Sequence, residues 1–294
     1  MNRTLHSILT SLFALLFVVA CQQQSEPPAS SDTSTDSNEA STASDTVSET
    51  GNADEEQAAV SDDDDCDLIM GYDIWAPYHF EAPDGTVMGI EIDLIRSLLA
   101  DEECSVSFVQ DDWMNLLEMV KTGEIDMVPG ATAVAGREDY AWFSIPYRLE
   151  QFEIFVREDV TLPSKNLVDL AGSELKIGLT DGYFYGQLVD LAQQQHPESF
   201  VYSQIAESSL LKLIDGQISL MIEDPYVVNM ILHQKDWHDD IERTGIEVAN
   251  TPVSFMFSKK TTSGKQLLDF NMRLADFLAS KSDEEILNSY LSDL

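Results

Sequence analysis

Basic residues are scarce in this chain. Sixteen Lys and Arg stand against 53 Asp and Glu, a formal net charge of −37 over 294 residues. That balance excludes a nucleic-acid partner, which needs a basic face to displace phosphate counterions. Cysteine is as rare, with three in all: Cys21, Cys66 and Cys104. The five histidines (His6, His79, His196, His233 and His238) lack zinc-type spacing with one another or with cysteine, so no metal is expected. The chain has no Gly-rich phosphate loop and no G-x-S-x-G elbow, and no cofactor is expected either. Beyond the first 21 residues no apolar run is long enough to span a bilayer, which takes roughly 20 residues.

What is present at the N-terminus reads as an address. Arg3 supplies a positive start and Ile8 to Ala20 a short apolar run, the pattern of a signal peptide over residues 1–21. The run ends Phe17-Val18-Val19-Ala20-Cys21, which is similar to a bacterial lipobox, in which the cysteine is lipidated and becomes the new N-terminus. An ordinary secretory signal with a chance cysteine is the alternative. Residues 22–65 are Ser, Thr, Ala, Asp, Glu and Gln-rich, without Lys, Arg or an aromatic. Such a segment cannot bury enough apolar surface to offset its ordering entropy, so a disordered acidic tether is expected. The charge is not confined to it, because residues 67–294 hold 40 acidic against 15 basic side chains.

The remaining chain alternates strand and helix signals, the mark of α/β architecture with mostly parallel sheet. Strands are expected at 67–71, 105–109, 125–128, 153–157, 175–179, 200–202, 219–222 and 253–257. Helices are expected from 93 to 100, 113 to 121, 185 to 195, 208 to 214 and 265 to 279. The two runs of alternation make two units with a cleft between them. Cys66 and Cys104 each precede a strand, so a parallel pairing would bring them to one sheet edge. Outside the cytoplasm that favours a disulfide, with two separately buried thiols as the alternative.

One segment carries the strongest chemical signal. Gly130 to Tyr147 reads GATAVAGREDYAWFSIPY, a single cation, Arg137, behind a run of small residues and before an aromatic-rich turn. Small residues let a backbone approach a ligand closely, and a guanidinium beside it can grip a carboxylate at two points. Asp224 ends an apolar strand just before Pro225, at the strand end where open α/β sheets bind ligands. Helix N-capping is the competing use of an aspartate in that position. Glu223 alternates to the other side of the strand and is the weaker candidate.

The pattern R-x-x-x-x-x-F-S-x-P-Y, formed by Arg137, Phe143, Ser144, Pro146 and Tyr147, resembles the extracytoplasmic solute-binding proteins of the polar amino-acid type, receptors of ABC importers. Three further segments extend the resemblance over nearly all of residues 67–294: Gly85 to Leu94, Trp113 to Leu117 with Gly123 to Asp126, and Asp215 to Asp224. It implies a type II, two-lobed α/β fold whose chain crosses between lobes near 152–157 and 248–255. Residues 66–153 with 250–294 would form lobe 1, and 154–249 lobe 2. It further implies that Arg137 holds a ligand's α-carboxylate, helped by Thr132, with Gly130 donating backbone contacts nearby. Asp224 would pair with the α-ammonium, Trp75 would stack on the ligand, and Trp113 would be an apolar wall. Tyr78 and Asp73 lie close enough in sequence to join them.

Two departures put the ligand's identity in question. Gly182-Tyr183-Phe184 stands where relatives carry Gly-Ser/Thr-Thr, so bulky rings, Tyr183 first, take the place of small hydroxyls, and Val134 replaces a threonine. The expectation is a monomeric, lipid-anchored binding protein that captures an amino acid or similar small zwitterion for a membrane ABC permease, without chemistry. Two rivals share the fold: a sensory module feeding a membrane receptor, and a dehydratase with Glu223 or Asp73 as general acid.

Overall fold

The computed structural model describes residues 67–100, 104–237 and 240–291. The signal segment, Cys21, the acidic tether, Cys66, His6 and His238 lie outside the described residues. In chain order the elements are β1 (Leu68–Tyr72), β2 (Phe80–Glu81), β3 (Val87–Met88), α1 (Ile90–Leu98), β4 (Val106–Gln110), α2 (Trp113–Thr122), β5 (Met127–Ala131), α3 (Ala135–Glu138), β6 (Ala141–Phe143) and β7 (Arg148–Arg157). They continue with α4 (Leu167–Ala171), β8 (Ile177–Thr180), α5 (Gln187–Gln195), β9 (Phe200–Ser203), α6 (Ala206–Ile214), β10 (Leu220–Glu223), α7 (Pro225–Lys235), β11 (Ile241–Ser258), α8 (Gly264–Ser280) and α9 (Ser282–Leu291).

The strands run in the order β4-β1-β5-β11-β7-β10-β8-β9, with β6 on β11. The pairings β4-β1-β5 and β10-β8-β9 are parallel, as the alternation of strand and helix requires. The long strands β7 and β11 join these two sets. They pair antiparallel from Ile241 opposite Arg157 to Val253 opposite Arg148, and β11 then passes on to β5 from Ser254. The chain therefore crosses between the two sets along both strands, and β11 starts well before the strand expected at 253–257. Its leading half is broken by Glu242, Arg243, Thr244 and Gly245, so no continuous apolar alternation announces it, and the ladder to β7 holds it extended.

Packing follows the apolar spacing. In α1, Ile92, Leu94, Ile95 and Leu98 are buried and join Met70, Phe255 and Phe257 in one core. That helix begins at Ile90, three residues before the expected start, because Gly89, with φ of 132°, turns the chain into it. A Cβ on Gly89 would lie 2.3 Å from the Tyr78 carbonyl, so another residue cannot stand there without backbone movement. The second set of strands has its own core, with Phe152, Leu179, Val189 and Ile222. A further cluster joins Trp75, Tyr78 and Ile90 to Met221, Val227 and Val228, so apolar contacts cross from one strand set to the other. Helices α3, α4, α7 and α9 were not expected from the pattern. In α7 the buried set Val227, Val228, Ile231 and Leu232 lies on one face, but Tyr226 and Met230 put apolar side chains off that face and blur the helical period. At the start of the first sheet, Leu68 stands opposite Val106, and Asp67 Oδ1 accepts from the Ser105 N–H at 2.9 Å and from its hydroxyl at 2.7 Å. Cys104, one residue earlier, is disulfide-bonded. Among the described residues no helix is long and apolar enough to cross a membrane.

Candidate functional site

The site lies at the carboxyl ends of β1, β5, β8 and β10, where the two strand sets face one another. Seven of the nine expected ligand-contacting residues line one cavity: Asp73, Trp75, Trp113, Gly130, Thr132, Arg137 and Tyr183. His79, Pro129, Glu150 and Phe184 complete its lining. Tyr78 and Asp224 stand just outside it and are bonded to each other, Tyr78 Oη donating to Asp224 Oδ2 at 3.0 Å.

Arg137 sits in the short helix α3 and is buried. One terminal nitrogen donates to the Thr132 carbonyl at 3.2 Å and the other to the Gly182 carbonyl, across the cleft, at 2.8 Å. Its guanidinium carbon lies 5.5 Å from the Trp113 ring centre. Two carbonyl oxygens leave the cation without a counter-ion among its hydrogen-bond partners, which is how a group that meets an anionic ligand should be held. Gly130 uses its N–H on Tyr147 Oη at 2.7 Å. Its φ of 64° and missing side chain keep open the space beside Glu91 and Arg148.

Asp224 takes on the competing use noted from the sequence as well. It is the N-cap of α7, with Oδ1 accepting from the Tyr226 and Val227 N–H groups at 2.7 and 3.3 Å. Glu223, fully buried, accepts from Trp75 Nε1 at 3.2 Å, from Thr180 Oγ1 at 3.3 Å and from the Asp224 N–H at 3.0 Å. Burial pushes its carboxyl up to about 8, and burial pushes that of Asp224 up to about 6. Asp73 and Glu150, also buried, are shifted upward for the same reason.

Four ionisable residues that the motif reading does not single out, Glu91, His79, Arg148 and Glu150, organise the floor. Glu91, with no exposed surface, accepts from Arg148 Nε at 2.8 Å and from Tyr147 Oη at 2.6 Å, and lies 3.3 Å from His79 Nε2. The Arg148 guanidinium is centred 4.1 Å over the Tyr78 ring, and one of its terminal nitrogens lies 3.9 Å from Glu150. Neither terminal nitrogen makes a hydrogen bond. A sequence signal did exist, since Arg148 and Glu150 stand in a strand with the apolar run Ile154 to Val156, and charges in a buried strand seldom stand unless paired.

These shifts carry a pH dependence. Glu223 contributes stability that is fully present below about pH 4.5, its ordinary value, and is lost as pH rises through about 8. Across that window the folded chain keeps a proton that the unfolded chain gives up. Glu223→Gln should therefore flatten the fall of the urea midpoint between pH 5 and pH 8, recovering on the order of a few kcal/mol at the alkaline end. An unchanged slope would show that Glu223 is ionised in the folded protein at neutral pH.

The family model for bacterial extracellular solute-binding proteins, family 3, matches residues 68–292. The chain belongs to that family. A curated relative is the L-cystine-binding protein TcyJ of Escherichia coli (strain K12), 23% identical over 118 residues, which are 40% of this chain and 44% of the relative. The matched stretch thus spans less than half of the relative's length. Among solved structures, an ancestral arginine-binding protein bound to arginine superposes with a TM-score of 0.66 at 20% identity, covering 77% of this chain and 98% of that one. A histidine kinase sensor domain with similarity to periplasmic binding proteins gives 0.68 at 20%, covering 76% and 95%. The arginine-, lysine-, histidine-binding protein ArtJ from Geobacillus stearothermophilus gives 0.64 at 20%, covering 77% and 95%. Likeness at that identity fixes the fold, the two-lobed type II arrangement, with β7 and β11 as its two crossovers.

Proposed function

We propose that this solute-binding protein is a lipid-anchored receptor that captures an amino acid or similar small zwitterion between its lobes and hands it to a membrane importer. The observation that carries the reading is Arg137, a buried cation whose hydrogen bonds among the described residues go to carbonyl oxygens, in a cleft lined by Thr132 on one lobe and by the Gly182-Tyr183 turn on the other. A carboxylate at Arg137 and an ammonium near the acidic side of the cleft, toward Asp224, give a zwitterion two anchors of opposite sign. Asp73, Trp75 and Trp113 surround the side-chain end. The lobes are residues 66–153 with 250–294 and residues 154–249, and capture is closure, a shift toward the form that the ligand binds better. The named ligands of TcyJ and ArtJ are amino acids, in keeping with this class.

A binding role suits the site better than catalysis. Of the two candidate acids, Glu223 is held by three donors behind Trp75 and does not line the cavity, and Asp73, which does line it, has its carboxylate engaged by the Tyr183 hydroxyl. The structural likeness to an ancestral amino-acid-binding precursor of cyclohexadienyl dehydratase keeps a dehydratase assay worth running as a control. A sensor would use the same capture step, so the likeness to a kinase sensor domain does not change the binding chemistry proposed. Calorimetry of the purified protein against the twenty amino acids and simple diamines tests the reading, with saturable one-to-one binding expected for at least one amino acid. Heat changes with none of them would sink it.

The anchor and the disulfide belong to the same proposal. In sequence Cys66 stands two residues before β1, as the disulfide-bonded Cys104 stands two residues before the neighbouring parallel strand β4, which supports their pairing. Mass spectrometry of the mature protein checks both features: a lipidated Cys21 at the N-terminus, and a Cys66–Cys104 peptide pair that separates on reduction. Closing a loop of about 38 residues is worth roughly 3–4 kcal/mol in the chain-entropy model.

A further inference from the structure

Three of the groups proposed to meet the ligand, Asp73, Trp113 and Arg137, already have a partner in one place, the turn that follows β8. Tyr183 Oη donates to Asp73 Oδ2 at 2.5 Å. The Tyr183 ring stands edge-on to both Trp75 and Trp113, its centre 5.9 Å from each. The preceding carbonyl, Gly182 O, accepts from Trp113 Nε1 at 3.2 Å and from Arg137 at 2.8 Å. Gly182, with φ of 74°, is pressed against the start of α2, where a Cβ would lie 2.3 Å from Met114 Sδ. Tyr183 packs against three separate apolar clusters, which together draw on both lobes. What remains of the cavity is about 20 Å³, room for about one water molecule. An amino acid does not fit beside these contacts, so it must replace some of them.

We propose that Tyr183 is a built-in competitor of the ligand. Its phenol occupies the side-chain compartment between Trp75 and Trp113, holds the cleft shut, and leaves when a ligand group that can donate to Asp73 takes its place. Exchange of this kind sets specificity in two ways. The incoming group must be a hydrogen-bond donor, because the position it inherits faces a carboxylate. It must also bind well enough to break a closed form that the protein makes by itself. Small hydroxylated residues at 183 and 184 would leave the compartment open, and the rings found there close it. The turn is therefore an autoinhibitory contact as well as a wall of the site. The inference rests on the capture reading above for its affinity arm alone.

Spin labels on cysteines introduced at Ser97 and Gln194, both exposed and on opposite lobes, read closure without any ligand. Ligand-free protein with Tyr183 intact should show one narrow distance matching the structure. Tyr183→Ala should lengthen and broaden it, and Tyr183→Phe, which keeps the ring and loses the donor, should fall between. A broad, long distance with Tyr183 intact, or a Tyr183→Ala protein as closed as its parent, overturns the proposal. In calorimetry, an amino acid that binds the parent should bind Tyr183→Ala about tenfold tighter, as expected when an occupant keeps about nine-tenths of the molecules out of the competent form. Equal or weaker affinity counts against it. Because the distance measurement needs no ligand, a protein that binds no amino acid refutes the transport reading while the competitor proposal is still decided.

Discussion

Arg148→Met should cost about 3–5 kcal/mol of folding stability. The reason lies in what the arginine leaves behind. Glu91 has no exposed surface and takes a 2.8 Å hydrogen bond from Arg148 Nε, and Glu150, also buried, lies near the same guanidinium. Removing one partner of a buried pair strands the other charge, which is more costly than the pair itself is worth. The methionine stem fills most of the volume and can still pack against Tyr78, so the loss reports charge rather than a cavity. Urea unfolding at pH 7 reads it, and a midpoint shift equivalent to less than about 1 kcal/mol would show that Glu91 finds another counter-charge or takes up a proton. His79, at 3.3 Å from Glu91 Oε2, is the candidate for that relief.

Three variants together separate the contributions. Glu91→Gln combined with Arg148→Met removes both charges and should recover most of the loss, since apolar or neutral replacements of whole buried pairs are often nearly neutral. Arg148→Lys keeps a charge but gives up the planar fork and the stacking on Tyr78, and should fall between. The position also bears on the site. Arg148 opens β7, a crossover strand, and supports the Tyr78 ring whose hydroxyl reaches Asp224 on the other lobe. A weakened Arg148 should therefore loosen closure as well as the fold.

The sequence was most legible where burial is one-sided. Strands β1, β4, β8 and β10 and helices α1, α2, α5, α6 and α8 lie within a few residues of their expected places, because apolar periodicity reports a single buried face. It failed where another element supplies the order. The first half of β11 carries Glu242, Arg243, Thr244 and Gly245 and is a strand because β7 lies beside it. Helix α7 carries the apolar Tyr226 and Met230 off its buried face, and its local signal, Asp224 before Pro225, marks a cap without fixing how far the helix runs. The site divides in the same way. Arg137, Thr132, Trp75 and Trp113 came from motif position, and the cavity collects them. Glu91, Arg148 and His79 were invisible as site residues because their importance comes from contacts between distant segments, as between Glu91 and Arg148, 57 residues apart, or from segments brought together by the turn after β1. Tyr183 was noticed as a departure, but its bond to Asp73 spans 110 residues and no local pattern contains it.

Arg137→Ala should abolish most ligand affinity, a loss of about 2–5 kcal/mol by analogy with buried charge pairs at interfaces. That corresponds to roughly 30-fold to several thousand-fold in Kd. The alanine leaves the ligand carboxylate unpaired in a cleft that closes around it, where a bare charge is poorly tolerated. The fold should lose less, because Arg137 gives up two bonds to carbonyl oxygens, Thr132 and Gly182, and no ion pair. Asp224 requires a different substitution. Asp224→Ala would remove the cap of α7 along with the charge, at a cost of about 1 kcal/mol in stability, and would blur the reading. Asp224→Asn keeps a side-chain oxygen for the Tyr226 and Val227 N–H groups and removes the charge, with its NH2 donating to Tyr78 Oη where Oδ2 accepted from it. If the ligand is a zwitterion held at both ends, calorimetry with the amino acid found by screening should show both Arg137→Ala and Asp224→Asn weakened. Loss in Arg137→Ala with full affinity in Asp224→Asn would mean that the ammonium is recognised elsewhere, with Asp73 and Glu150 the nearest buried carboxylates in the cavity lining. Full affinity in Arg137→Ala would remove the cation on which the capture reading stands.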